Sequence, residues 1–492
     1  MKAYRTLYEL MDNPEKLQVL AKEAKVFCLL NGLPYPMKES PELVTYAPVT
    51  LFPTPVRGAV FEQALAVQPH YNLLVDRISQ DPAFLEEALS STVLADDFTA
   101  RLFNIHKQML SEGRASPIVL GINRSDYMLD ESEVQGGLLK LVEINTFAAG
   151  AFGTSDTIAP LHRHVLRLAG LEGLRSSVPD SNSTVRLASA LQRAWELYAR
   201  PQSRLRLPSP KWTTSHCVLS RAAILFLVDD VEMIFFSHFK LINELRERGI
   251  SSIRNNFEFV HKTGRLSSDD RLFVDGREVA VVFFRDGYVP GHYTEESWAT
   301  RLLMERSRAI KCPDIATHLA GTKKVQQVLA RPGVLERFFP EQPQVVQQIR
   351  ATFVGSYTLD QCPEGDRAAA MAMDSPDRYV LKPQREGGGH NFFDADLVRV
   401  LEEVGAGRGR ASYVLMERLR PRVERNVLLR RDTPPEPCDV VGELGVFGAY
   451  IRAEGEMVLN VVAGHVMRTK PAEHRQGGVN QGLAVFDNLI LC

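Results

Sequence analysis

"KPQREGGGHN", residues 382–391, sets a lysine, an arginine and a glutamate beside three consecutive glycines. Without Cβ atoms, Gly387, Gly388 and Gly389 let backbone amides approach a ligand closely, at the conformational cost of ordering an unusually free stretch. A wide surface turn would need only this much. The flanks point elsewhere: "DRYVLKPQ" reads as a short strand over 378–382 running into the loop, and "ADLVRVLEEV" as a helix over 395–404. Strand, glycine loop, helix is a phosphate-binding context, yet neither GxxxxGK[ST] nor GxGxxG is present, so another arrangement must hold any phosphates.

A chain of 492 residues that is 45% hydrophobic buries large cores and divides into two or three domains. Lys plus Arg at 58 against Asp plus Glu at 60 leaves a net charge of −2, which supplies neither a basic field for nucleic acid nor a polybasic membrane patch. Six widely spaced cysteines with no CxxC pair argue against a zinc knuckle and a disulfide scaffold. The charged start "MKAYRTLYELMDNPEKLQ" has no signal-peptide core, and the strongest apolar run, "AAILFLV" at 222–228, has the length of a buried strand. A soluble cytoplasmic protein is expected.

Along the chain, helical periodicity covers 12–31, "PAFLEEALSST" and "FTARLFNIHKQML", so the first hundred residues read as mostly helical. Two β-rich runs, "SPIVLGINRSDYM" and "GLLKLVEINTFAAGAFG", precede helices over 157–170 and 186–200. The proline-bearing segment 201–218 reads as a surface insertion. A second α/β unit follows: strand "AAILFLV", a helix from "EMIFFSHF", strand "SIRNNFEFV", and a hairpin at "VDGRE" whose outgoing strand ends at Arg285. Beyond Arg306 come helices through "TKKVQQVLA" and "PQVVQQIRATF", the glycine loop, strand "SYVLMERL", and a long antiparallel pair, 439–452 and 457–470, turned by "AEGE". The 361–376 stretch and "RRDTPPEPC" at 430–438 read as loops.

Glu143 and Asn145, two apart in "LVEINT", point the same way on a strand and offer a carboxylate and an amide oxygen to one point. That is half a site for a hard cation such as magnesium, which Glu386 could complete; the alternative reading is a solvated edge-strand Glu with an Asn capping the following turn. Lys323, Lys382, Lys470 and Arg468 sit at strand or helix ends near glycines. Converging on a triphosphate they would screen its charge, and dispersed they would only solvate the surface.

The motifs "VEINT" (142–146), "FFRDGY" (283–288), "KCPDIATHLAGTKKVQQ" (311–327), "LKPQREGGGHN" (381–391), "ELGVFG" (443–448) and "RTKPAEHRQGGV" (468–479) closely resemble the eukaryotic-type glutathione synthetase family of the ATP-grasp superfamily. The resemblance is nearly full length, from "VTYAPVTLFPTPV" through "GINRSDYM" to "GLAVFDN". It implies an α/β ATP-grasp fold with an additional α/β substrate domain and a mostly helical N-terminal region. It also implies ATP-dependent ligation of γ-glutamylcysteine and glycine through an acyl phosphate, by a cytoplasmic homodimer using ATP and Mg²⁺. On that basis the chain divides into a helical region 1–115, an α/β segment 116–220 with the metal-binding strand and the insertion, a substrate-binding domain 221–305, and a nucleotide-binding region 306–492 with glycine-rich lids.

Carried over motif by motif, the resemblance makes Glu143, Asn145 and Glu386 magnesium ligands and Lys323, Lys382 and Lys470 ATP contacts. Met416, Glu417, Leu419 and Glu443 would line the adenine and ribose pocket, with Gly387, Gly388, Gly389 and Asn391 by the phosphates. Arg124, Arg285, Tyr288 and Arg468 would bind γ-glutamylcysteine, and Gly478, Val479 and Asn480 the acceptor. Arg468, Lys323, Lys382 and the amides of Gly387 and Gly388 would stabilise developing charge. The sequence departs from the family pattern on the peptide side: Ala148 and Gly150 replace serines, "FFSHF" stands in place of an "FDQR"-like motif, Phe393 replaces a tyrosine, and Gln476 and Asn480 flank the second glycine loop. These differences leave open a ligase with β-alanine or serine as acceptor, and, further off, a non-enzymatic scaffold.

Overall fold

The computed structural model describes residues 2–37, 40–113, 117–132, 137–198, 222–230, 232–479 and 481–492; the 201–218 insertion and Asn480 lie outside them. The scaffold is a seven-stranded sheet. Its centre is the long hairpin read from the sequence, Pro437–Ala453 and Glu456–Pro471. The turn works because Glu454 and Gly455 both take positive φ, 52° and 85°, which matches the twist of the flanking strands. Ile118–Asp130 pairs antiparallel with the hairpin's first strand, and Leu138–Asn145 adds the edge. On the other side come Val485–Asp487, Val49–Thr50 and Val423–Leu429.

Period-two alternation puts a core on each face of this sheet. Leu444, Val446 and Tyr450 belong to the cluster beneath the helices Gly58–Ser79, Pro82–Val93 and Asp97–Ser111. Phe447, Ala449 and Ile451 point the opposite way, into a cluster with Phe152–Leu168 and Ser183–Tyr198. Two further sheets stand beside it. One carries the parallel strands Ser252–Asn255, Ala223–Leu227, Arg277–Phe284 and Ile310–Cys312. The other has four strands, Ser356–Thr358, Tyr413–Glu417, Tyr379–Pro383 and Phe392–Phe393. Strand pairing thus links 118–145 to 437–471, and 310–312 to 277–284.

Several local expectations are corrected. "SIRNNFEFV" is a strand only over Ser252–Asn255; Asn256 accepts from Phe259 N at 2.8 Å and caps a helix, Phe257–Thr263. The 361–376 stretch holds the helix Pro363–Asp374, begun by a proline that supplies helical φ and no needed donor. The helix expected over 12–31 is present as Pro14–Leu30, with Asn13 capping it through Lys16 N, and a further helix, Lys2–Met11, precedes it. The first hundred residues also contribute short strands between Pro34 and Val56. Among the described residues no helix is long and apolar enough to cross a membrane.

Candidate active site

The glycine loop lies where the three larger sheets meet, over a cavity of about 340 Å³. From the seven-stranded sheet come Arg124, Glu143, Asn145, Glu443, Arg468 and Lys470; from the parallel sheet Arg285; from the four-stranded sheet Lys382 and the loop that follows it. Register explains the grouping, since Arg124 lies opposite Asn145, Asp126 opposite Glu143, and Glu443 opposite Arg468.

At the centre is a carboxylate that the sequence reading passed over. Asp126, fully buried, accepts from Arg124 Nε and Nη2 at 2.6 and 2.8 Å, from Asn145 Nδ2 at 2.8 Å and from Arg468 Nη2 at 2.7 Å. Two residues after Arg124 on one strand, it shares that arginine's face, which is the signal that could have found it. Gly445, directly opposite, makes the approach feasible: a Cβ there would sit 2.7 Å from Asp126 Oδ1 and 2.8 Å from Arg124 Cδ. Arg468 also pairs with Glu443.

Glu143 and Asn145 do face one cavity, and Glu386 joins them from the glycine loop. Lys323, whose helix Lys323–Leu329 is capped by Thr322, places Nζ 3.3 Å from Glu143 and 3.5 Å from Glu386. Burial opposes the charge of Glu143, but the surrounding Lys323, Lys382, Arg468 and Arg124 hold its carboxyl well below the usual range. Burial and the neighbouring Glu143 charge push Glu386 up. Lys323 is driven down by burial and further up by Glu386 and Glu143, with a net rise. Two partly buried carboxylates that share Lys323 and face one cavity, beside the Asn145 amide, offer the oxygen donors that a hard divalent cation takes. Lys382 donates to Val142 O at 3.0 Å, and burial lowers its pKa. Lys470 reaches the carbonyls of Arg475 and Gln476 at 2.7 and 3.2 Å, curling the second glycine loop back over the cavity.

The two glycine loops touch. Gln481 Nε2 donates to Gly387 O at 2.8 Å, and the Gln476 amide donates to Asn391 O. Gly387, Gly388 and Gly389 all have positive φ, 90°, 73° and 76°, a backbone that other residues reach only with strain. The loop is anchored at its base by Arg385, which pairs with buried Asp96 at 2.6 Å. Gly478 and Val479 line the cavity.

Of the nucleotide residues, Met416 lines an adjoining smaller cavity, mostly apolar, that shares Val142, Glu143, Lys323 and Lys382 with the main one. Glu417 accepts from the Tyr357 hydroxyl at 2.7 Å, and Leu419, two residues past the Tyr413–Glu417 strand, lines neither cavity. On the peptide side, Arg285, Tyr288, Ala148 and Gly150 line the main cavity with Phe147 and Ile234. Arg285 is engaged three ways, to His238 Nε2 at 2.9 Å and to the carbonyls of Ala149 and Ala148 at 3.0 and 2.9 Å. Phe393 packs under Arg418, away from the cavity.

Comparison with known proteins agrees with this geometry. The family model "Eukaryotic glutathione synthase, ATP binding domain" matches residues 14–491. The chain is 46% identical over 482 residues to the glutathione synthetase of Homo sapiens, covering 97% of this chain and 98% of that one. It is 42% identical to the Xenopus laevis enzyme (98% of each) and 37% to the chloroplastic one of Arabidopsis thaliana (100% and 88%). Its fold is that of a glutathione synthetase-like effector of Globodera pallida in apo form, at a TM-score of 0.75 and 24% identity over 98% of both chains. With an α/β fold of the ATP-grasp type and a family match over nearly its whole length, this chain belongs to the eukaryotic glutathione synthetase family.

Proposed function

We propose that the protein is an ATP-dependent carbon–nitrogen ligase that joins γ-glutamylcysteine to glycine, giving glutathione, ADP and phosphate. One observation carries this reading: Glu143, Asn145, Glu386, Lys323, Lys382, Lys470 and Arg468 line a single cavity in a chain so similar to curated glutathione synthetases. Relatives of that name at 42–46% identity favour glycine over β-alanine or serine as the acceptor. An intact set of charged residues in the cavity argues against a scaffold.

In this reading the cysteinyl carboxylate takes the γ-phosphoryl group of ATP, and ADP leaves. The glycine amine then attacks the acyl phosphate carbon, the C–O bond breaks, and phosphate departs as the amine loses its proton. Lys323 and Lys382 screen the phosphates, while Arg468 and the amides of Gly387 and Gly388 face the charge that builds on phosphorus and carbon. Glu143, Asn145 and Glu386 would hold magnesium, which when bound neutralises phosphate charge. The apolar pocket beside Met416 suits adenine. The touching glycine loops exclude water from a hydrolysable intermediate.

We further place the enzyme in the cytoplasm, as the unpaired spacing of its cysteines suggests, and read it as a homodimer. Val19, Val26 and Leu30 form an exposed stripe on Pro14–Leu30, beside exposed Leu43 and Val44, and apolar surface of this kind is suited to a second copy. Glu386→Ala tests the site: kcat should fall by about 10²-fold or more with the thermal midpoint retained. A variant keeping more than about a tenth of wild-type kcat at saturating magnesium refutes the assignment of Glu386.

A further inference from the structure

Arg285, at the end of the Arg277–Phe284 strand, is buried, and each of the three nitrogens of its guanidinium donates a hydrogen bond. Nη1 and Nη2 donate to the carbonyls of Ala149 and Ala148, and Nε donates to His238 Nε2 at 2.9 Å. The carbonyls belong to a loop under strain, because Ala148 and Ala151 hold φ of 48° and 73° without being glycines. Such a backbone persists only where its surroundings over-determine it, and the two bonds from Arg285 contribute to that.

His238 is in turn fixed from behind. It is fully buried, stacked on Phe152, with Nδ1 against Glu232 and Glu232 held by Arg254 Nη2 at 2.7 Å. A guanidinium can only donate, so Nε2 must carry the lone pair, and the proton sits on Nδ1 towards Glu232. Burial pulls the His238 pKa down to about 4, in keeping with a neutral ring. Glu232 thus accepts from Arg254 on one side and His238 on the other, and His238 accepts from Arg285, which links this buried network to the loop that walls the peptide end of the cavity. His238 belongs to "FFSHF", the segment that stands in place of the "FDQR"-like motif.

We propose that His238 is a positioning residue for the dipeptide: by accepting from Arg285 Nε it holds the guanidinium on the carbonyls of Ala148 and Ala149, and so sets the wall against which the γ-glutamyl end packs. This rests on the substrate-side role proposed for Arg285. His238→Leu removes the acceptor, whereas His238→Gln can still accept from Arg285 and donate to Glu232. In steady-state kinetics of the full chain, His238→Leu should raise KM for γ-glutamylcysteine about tenfold or more, with KM for ATP and glycine within about threefold. His238→Gln should return the dipeptide KM to within about threefold of wild type. A His238→Leu variant with unchanged dipeptide KM, a parallel rise in all three constants, or no recovery with Gln overturns the inference. Arg285→Lys separates the two readings: unchanged dipeptide KM there refutes the role of Arg285 itself, while a rise there with none in His238→Leu refutes only the inference. Should His238→Leu fail to fold, Glu232→Ala, which frees the ring from behind, carries the same expectation and the same refutation.

Discussion

Replacing Asp126 with asparagine should damage stability and catalysis together. The carboxylate accepts four hydrogen bonds, two from Arg124 and one each from Asn145 and Arg468, at full burial. An asparagine keeps one acceptor oxygen, turns an amide nitrogen towards groups that can only donate and removes the charge, so one bond is lost with the nitrogen at the Oδ1 position and three with it at the Oδ2 position. Hydrogen bonds to charged groups are worth roughly 1.5–3 kcal/mol each, and removing one partner of a buried ion pair costs roughly 3–5 kcal/mol. Arg468 retains Glu443, which limits the damage to its side of the hub. We therefore expect a loss of about 3–5 kcal/mol in urea unfolding, and a fall in kcat/KM for γ-glutamylcysteine of about 10²-fold as Arg124 and Arg468 lose their aim. A variant within about 1 kcal/mol of wild-type stability and threefold of its kcat/KM would show that Asp126 is not the hub of the site.

Other perturbations have equally definite outcomes. His162, buried against Thr50, has its pKa lowered to about 4 by burial. The unfolded chain therefore binds a proton between pH 6.5 and 4 that the fold does not, and stability present above pH 6.5 drops by about 3 kcal/mol by pH 4. His162→Asn should flatten the urea midpoint over that window relative to wild type, and identical slopes in the two proteins would contradict this. Gly121→Ala would put a Cβ 1.9 Å from the ring of fully buried Tyr450, so we expect about 1–3 kcal/mol of destabilisation by overpacking, read as a lowered thermal midpoint. Gln481→Ala removes the bond to Gly387 O, and the ADP released per peptide bond formed should rise above one as the intermediate meets water. A ratio that stays at one means this bond does not help seal the cavity.

Much of the fold was legible because its signals were local. The strand and helix around the glycine loop, the AEGE hairpin, and the shared face of Glu143 and Asn145 follow from period, turn chemistry and spacing. Misreadings fell where local signals compete. "NNFEFV" is aromatic and β-branched enough to pass for a strand, but Asn256 caps a helix there, and Pro363 opened a helix where a linker was expected. The site's wiring was hidden for a different reason. Asp126 meets Arg468 across 342 residues because strand pairing brings them together, and Arg285 meets His238 across 47 because the helix Phe235–Glu247 carries His238 to the strand end. Charge and spacing identify candidates along a chain, whereas the register between distant strands decides which of them share a partner.

The most direct test of the account is product analysis with purified protein, ATP, magnesium and γ-glutamylcysteine, offering glycine, alanine, β-alanine and serine in parallel and identifying products by mass. The account predicts glutathione from glycine, with ADP and phosphate in equal amounts, and kcat/KM for glycine more than about tenfold above every other acceptor. No tripeptide from any acceptor, or a faster ligation of serine or β-alanine than of glycine, would contradict it.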